Sequence, residues 1–285
     1  MLGAFIGSFL NVCIWRMPRE ESIVFPASRC PACKAPIAWH DNIPVVSFLA
    51  LGGRCRACRK PISLRYPLVE AFTAAMFGAV VWRFGVSAVS VIYLVFVSGL
   101  IVSSVIDLDF QIIPDEISLG GLALGLIISP FVPALHHTDL ALIAMERSFL
   151  GAVVGGGTLY ATGALGNVML YAFRRLGVAL RRHPRWRARF ARYRHMRDSM
   201  GGGDIKLLAM AGSLLGWKLV LLTFMLAPVL ALLPGLVVLI TKRSHVIPYG
   251  PFLSLGLLVS LFYGDAIIAA SGIEETVRLL RAGPM

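Results

Sequence analysis

The chain has 285 residues, 57% of them hydrophobic, and a mean hydropathy of +0.77. That balance excludes an ordinary soluble protein of one or two domains. The net charge of +12 does not point to nucleic acid, because the basic residues concentrate in two loops between apolar runs, as they do on the cytoplasmic side of a membrane protein.

A bilayer core of ~30 Å is crossed by about 20 apolar residues in a helix, and only helices or closed barrels satisfy the backbone there. The apolar runs lack the alternating pattern of a barrel strand. The chain therefore reads as an all-α integral membrane protein with about eight transmembrane helices and a small cytoplasmic metal-binding loop domain. The segments fall at 1–15, 66–84, 88–106, 117–135, 149–173, 205–215, 219–240 and 250–270. The first and sixth are short for a span. The chain divides into a first membrane segment (1–15), a four-cysteine loop (16–65), segments two to five (66–173), a basic loop (174–203) and the last three segments (204–285). No internal repeat is read from the sequence. Residues 1–14 are apolar but lack the basic start and small-residue cleavage site of a signal peptide.

Lys and Arg fix the orientation. Loop 16–65 runs from Arg16 to Arg65 with Arg54, Arg56, Arg59 and Lys60 among its cations, and loop 174–203 carries Arg174 to Arg197. The connections near Arg83 and Arg147 hold one each. Alternating the segments puts both basic loops, the 107–116 connection and the start of the sixth segment on one face, the cytoplasmic one.

In the first loop, Cys30-Pro-Ala-Cys33 and Cys55-Arg-Ala-Cys58 form two CxxC pairs with 21 residues between them. Four thiolates at this spacing close a tetrahedron around zinc and leave no open position, so the metal is structural. Disulfides or free thiols are the other reading, and disulfides are disfavoured on a reducing face. Cys13 lies in the first apolar segment and reads as a packed small residue.

Together with the cysteine loop and its Asn42-Ile43-Pro44, the stretches Gly7-Ser8-Phe9-Leu10-Asn11-Val12 and Ile62-Ser63-Leu64-Arg65-Tyr66-Pro67-Leu68-Val69-Glu70 closely resemble the type IV prepilin peptidase family. Relatives carry a longer stretch ahead of the first motif, which leaves the depth of the first helix open.

The third segment ends in Asp107-Leu108-Asp109, followed by Pro114-Asp115-Glu116, and the sixth opens Gly201-Gly202-Gly203-Asp204. Charge at membrane depth is costly and marks function by default. Asp115 suits a helix N-cap and Asp204 can also cap, whereas Asp107 ends a helix, where the dipole disfavours an anion. The functional alternative is a pair of carboxylates sharing one proton, one activating water and one polarising a carbonyl. Glycines before Asp204 let another backbone approach, and no Walker-type spacing accompanies them.

The glycine run with Asp204 matches the GxGD motif of membrane aspartyl proteases. The resemblance carries the catalytic pair over to Asp107 and Asp204, with Gly201, Gly203 and Asp109 in support and Asp109 as the reserve acid. It implies two reactions: cleavage of a basic leader from type IV prepilins or the related pseudopilins of type II secretion, and methylation of the new N-terminus from S-adenosylmethionine. The four-cysteine loop accompanies methylating members. It also implies the bacterial inner membrane, with the active site near the cytoplasmic face. No fingerprint identifies methyl-donor residues, and the oligomeric state is not legible.

Val246-Ile247-Pro248-Tyr249-Gly250-Pro251-Phe252 resembles the family's late motif and reads, by itself, as a Pro/Gly-rich helix start without a catalytic role. In the second basic loop, Trp186, Phe190 and Tyr193 form an aromatic stripe among arginines after Pro184, the pattern of a helix lying on membrane lipid. The histidines show no catalytic spacing. A proton-coupled transporter using the membrane carboxylates is the alternative from another class, which leaves the cysteine loop unexplained; a membrane scaffold whose zinc domain binds partners, with carboxylates that only cap helices, is a third.

Overall fold

The computed structural model describes residues 1–180, 200–242 and 248–272. These residues form nine α-helices: α1 (Leu2–Arg16), α2 (Val46–Ala50), α3 (Arg65–Phe84), α4 (Ala88–Phe110), α5 (Asp115–Ile128), α6 (Ala141–Leu180), α7 (Gly202–Leu215), α8 (Trp217–Lys242) and α9 (Gly250–Ala270). The stripe at Trp186, Phe190 and Tyr193 lies outside the described residues, as do Val246 and Ile247.

Five helices are long and apolar enough to cross a membrane: α3, α4, α6 through Ala172, α8 through Val237, and α9. The expectation of eight spans is met only for these five. The other three segments are helical, but α1 has 15 residues and α5 and α7 have 14 each. At 1.5 Å per residue these reach only ~21–23 Å, short of the ~30 Å core. Two boundaries also move outward from the apolar runs. Helix α6 begins at Ala141 because Glu146 and Arg147 lower the hydropathy without interrupting the helix. Helix α4 continues past Ile106 to Phe110, so Asp107 sits in its last turn rather than beyond it. Gln111 then takes a left-handed conformation and closes on the Asp107 carbonyl.

The chain folds as two compact units. The first comprises Met1–Ile117 with Gly235–Leu258, and its framework is the α1–α3 seam. A Cβ on Gly3 would lie 2.8 Å from Ala74 Cα, and one on Gly7 would lie 2.7 Å from Glu70 Cα. Only glycine allows that approach, the small-xxx-small packing of membrane helices. Buried Asn11 donates from Nδ2 to the Tyr66 carbonyl at 3.1 Å. The two N-terminal motifs are thus opposite sides of one helix contact.

The second unit comprises Ser118–Pro234 with the chain from Val259 onward. Here α6 meets α7 at backbone distance. A Cβ on Gly151 would strike the Gly212 carbonyl, and one on Gly155 the Leu208 carbonyl. Ser148 Oγ donates to the Ser213 carbonyl at 2.8 Å across the same seam. Thr223 of α8 donates to Ser260 Oγ of α9 at 2.8 Å. These contacts hold α7, and with it Asp204, in a fixed frame.

Candidate active site and metal centre

The cysteine loop is built from two copies of one knuckle. Arg29 to Ile37 reads Arg-Cys-Pro-Ala-Cys-Lys-Ala-Pro-Ile, and Arg54 to Ile62 reads Arg-Cys-Arg-Ala-Cys-Arg-Lys-Pro-Ile. Each opens with an antiparallel bridge, Arg29 to Pro36 and Arg54 to Pro61. In each, the N–H of the first cysteine donates at 2.9 Å to the carbonyl five residues on, and the residue after the second cysteine returns its N–H to the first. Those returning residues, Lys34 and Arg59, both have φ near +60°. The expectation of no internal repeat is therefore corrected: a nine-residue unit recurs, short enough to hide beneath the membrane segments that dominate the pattern.

The repeat brings Cys30, Cys33, Cys55 and Cys58 together, with all four sulfurs within 4.8 Å of one another and Cys30 and Cys58 at 4.0 Å. Tetrahedral zinc with sulfur at ~2.3 Å needs thiolates about 3.8 Å apart, so the cluster fits such an ion. The Cys33 backbone N–H is the main influence holding the Cys30 thiol down, to about 6. The Ala35 N–H favours the Cys33 thiolate, but desolvation and the neighbouring cysteines outweigh it and push that thiol up to about 11. A cation is what lets all four ionise together.

The loop is tied down at three places. Arg56 grips Asp41 with two parallel bonds, 2.7 Å from Nε and 2.6 Å from Nη2. Arg16 donates to the Ser22 and Pro26 carbonyls. Glu70, buried on α3, accepts the Val45 N–H at 2.7 Å, where Val45 holds a φ of +62° that a β-branched residue rarely adopts. That bond joins the cysteine loop to α3.

Asp107 is buried, 6% exposed, on α4. Its Oδ2 accepts the backbone N–H of Gly250, the first residue of α9, at 2.9 Å. A Cβ on Gly250 would sit 2.8 Å from that oxygen. The helix N-terminus supplies the positive end that a carboxylate near the end of α4 otherwise lacks. Sequence reasoning gave this motif no role and so missed Gly250; the Pro248-Tyr249-Gly250-Pro251 pattern marks a helix start but not what its first N–H meets.

Asp109, two residues on, is exposed and forms an ion pair with Arg65 of α3. Arg65 also reaches the Val105 carbonyl at 3.4 Å. Arg19 lies over the Trp15 ring at 3.8 Å and over Phe110 at 5.2 Å. These cationic contacts fasten the last turn of α4 to α3 and to the chain after α1. Asp115 opens α5 as its first residue, with Glu116 beside it.

Asp204 is half-buried in the first turn of α7, two residues past its start. A Cβ on Gly201 would lie 2.9 Å from Asp204 Oδ2. The first glycine of the motif thus makes room for the aspartate itself. Asp107 and Asp204 belong to different units.

Comparisons with known proteins match the chain in two blocks. Residues 1–84 match the bacterial peptidase A24 N-terminal domain, and residues 94–236 match the type IV leader peptidase family. Among curated relatives, a protein of Pseudomonas putida is 33% identical over 95% of this chain and 91% of its own length. One of Stutzerimonas stutzeri is 34% identical with the same coverage. One of Bacillus subtilis is 31% identical over 94% of both chains. All three carry the name prepilin leader peptidase/N-methyltransferase. No solved structure gives a significant match.

Proposed function

The chain belongs to the type IV leader peptidase family, and from that membership we propose that it removes the leader of type IV prepilins or pseudopilins and then methylates the new N-terminus. It is an enzyme of the bifunctional type, prepilin leader peptidase and N-methyltransferase. The observation that carries the mechanistic reading is the carboxylate of Asp107, buried in a membrane helix and met by a helix N-terminus.

In this reading Asp107 and Asp204 act as a pair holding one proton. The ionised member takes a proton from water as the water oxygen attacks the scissile carbonyl. The protonated member donates its hydrogen bond to that carbonyl's oxygen and later passes the proton to the leaving amine. The Gly250 N–H holds one oxygen of Asp107, and the bare Cα of Gly201 lets the Asp204 carboxylate fold back over its own turn.

Zinc fits the four thiolates as a structural ion closing the two knuckles. S-adenosylmethionine supplies the methyl group when bound. Helices α1, α5 and α7 complete the eight membrane segments as short helices that enter the bilayer beside longer neighbours. The basic loops and both aspartates then face the cytoplasm in the bacterial inner membrane, where a prepilin presents its basic leader.

The test is to incubate the purified full chain with a prepilin, with and without the methyl donor, and weigh the products. Leader loss in both tubes, with a gain of one methyl only where donor is present, is the expected outcome. An uncleaved prepilin in both would overturn the assignment.

A further inference from the structure

Resting on the reading of Asp107 as a catalytic carboxylate, we propose that Ser103 and Ser254 form a hydration site one helical turn below it and hold a water molecule against that carboxylate. Ser103 is 1% exposed and Ser254 3%, and neither hydroxyl has a hydrogen-bond partner among the described residues.

Other hydroxyls in this protein solve the same problem locally. Thr73, Ser98, Ser104 and Ser129 each donate to the carbonyl four residues back, at 2.7–2.8 Å. Ser104 does so beside Ser103 itself. The helix backbone offers Ser103 the Gly99 carbonyl and Ser254 the Gly250 carbonyl, yet neither takes it. A hydroxyl that declines a bond within its own helix while buried is costly unless something else accepts it.

Helical register sets these two hydroxyls against the aspartate. Ser103 lies four residues before Asp107 on the same face of α4, and Ser254 lies four residues after Gly250 on the same face of α9. The Cβ direction of Gly250 points at the Asp107 side chain, with Cγ at 3.2 Å and Cβ at 3.3 Å from where it would stand. Register therefore places both serines on the sides of α4 and α9 that carry the Asp107–Gly250 contact. Helix α4 ends and α9 begins at this contact, and each serine lies one turn away from it along its own helix. Ile106, next to Asp107 on α4, and Leu253 and Leu257, within three residues of Ser254 on α9, are fully buried.

A buried water makes about three hydrogen bonds, and three groups are available. Two are the serine hydroxyls. The third is the Asp107 carboxylate, which meets one donor, the Gly250 N–H, among the described residues and has further lone pairs to offer. Water in this position keeps the carboxylate hydrated on its membrane side and fixes its second oxygen. The serines are positioning residues that act through the water.

The opposite role predicts opposite signs, which makes the test sharp. Where the hydroxyls hold nothing, replacing them by Ala removes two unpaired polar groups, so Tm rises and kcat stays put. Where they hold water, Ser103→Ala and Ser254→Ala each lower kcat for cleavage on the order of tenfold, with KM unchanged. The double variant is no worse than either single one, because one water needs both. Unchanged kcat, or losses that multiply in the double variant, overturns the proposal.

A structure of the full chain at a resolution that shows water provides the second measurement. Density bridging the two hydroxyls is expected in the wild type and in Asp107→Asn, and is lost in the double Ala variant. Its absence from the wild type overturns the hydration site whatever Asp107 does. Normal cleavage by Asp107→Asn overturns the catalytic reading whatever the water does.

Discussion

The backbone N–H of Gly250 donates to Oδ2 of Asp107 at 2.9 Å, joining residues 143 apart in sequence. The contact leaves no room for a side chain on the glycine. It fixes which way a buried carboxylate points, and it gives the late motif of this chain a physical task.

Gly250→Ala places a methyl 2.8 Å from the carboxylate oxygen, so the aspartate must shift by a few tenths of an ångström or more. Cleavage should fall by roughly a hundredfold, the scale on which misplacement of a reacting group is felt. Gly78→Ala, whose Cβ meets open space, is the matched control and should cleave normally. Initial rates on a prepilin at equal amounts of membrane-inserted enzyme check both.

Asp109 is engaged by Arg65 within the first unit. Asp109→Asn should therefore slow cleavage by less than about tenfold. The pair is about a third or more exposed on both sides, so a double-mutant cycle with Arg65→Ala should give a coupling of no more than ~1 kcal/mol in stability. Cleavage lost completely in Asp109→Asn, with Asp107→Asn active, would move the catalytic assignment by two residues.

The paired knuckles should bind about one zinc per chain, measured by metal analysis of purified protein. Changing Cys30 and Cys33 to Ser should empty the site, and zinc should return protease resistance to residues 16–65 only in the wild type. Methylation should suffer more than cleavage in Cys55→Ser, measured on a pre-cleaved peptide and an intact prepilin in parallel.

His136 follows α5 and donates to or accepts from Ser129 Oγ at 3.0 Å. Burial first, with Arg147 and His137 adding repulsion, pulls its imidazole down to about 4. The unfolded chain takes up this proton below ~6.5 while the fold refuses it. Stability from this group is therefore complete above that pH and declines as pH falls toward 4, by roughly 3 kcal/mol in total. Tm measured from pH 7 to pH 4 should drop more steeply for the wild type than for His136→Gln. Equal slopes would contradict the buried, neutral imidazole.

How much of this was legible in the sequence follows from the range of the signals. The four cysteines, Asp107 and Asp204 stand out because thiols and carboxylates are scarce in an apolar chain. Gly250 was not legible, since its role is a backbone donor set by the approach of two helices far apart in sequence. The knuckle repeat is present in the letters, but a nine-residue unit is short beside the long apolar runs that dominate the pattern. Hydropathy placed the membrane helices but misjudged their ends where charged residues such as Glu146 and Asp109 continue the helix. Helices α1, α5 and α7 are shorter than a full span, so length alone does not count them with the five long helices. The side-chain turn of Asp204 over Gly201 needed coordinates.

In the proposed reaction Asp107 and Asp204 work as one catalytic unit. Mass spectrometry of a prepilin treated with Asp107→Asn, Asp204→Asn and the double variant tests it directly. Members of such a unit are strongly non-additive, so each single change should leave cleavage at the background of the double variant, while a pre-cleaved peptide is still methylated. Normal leader removal by either single variant would contradict the account.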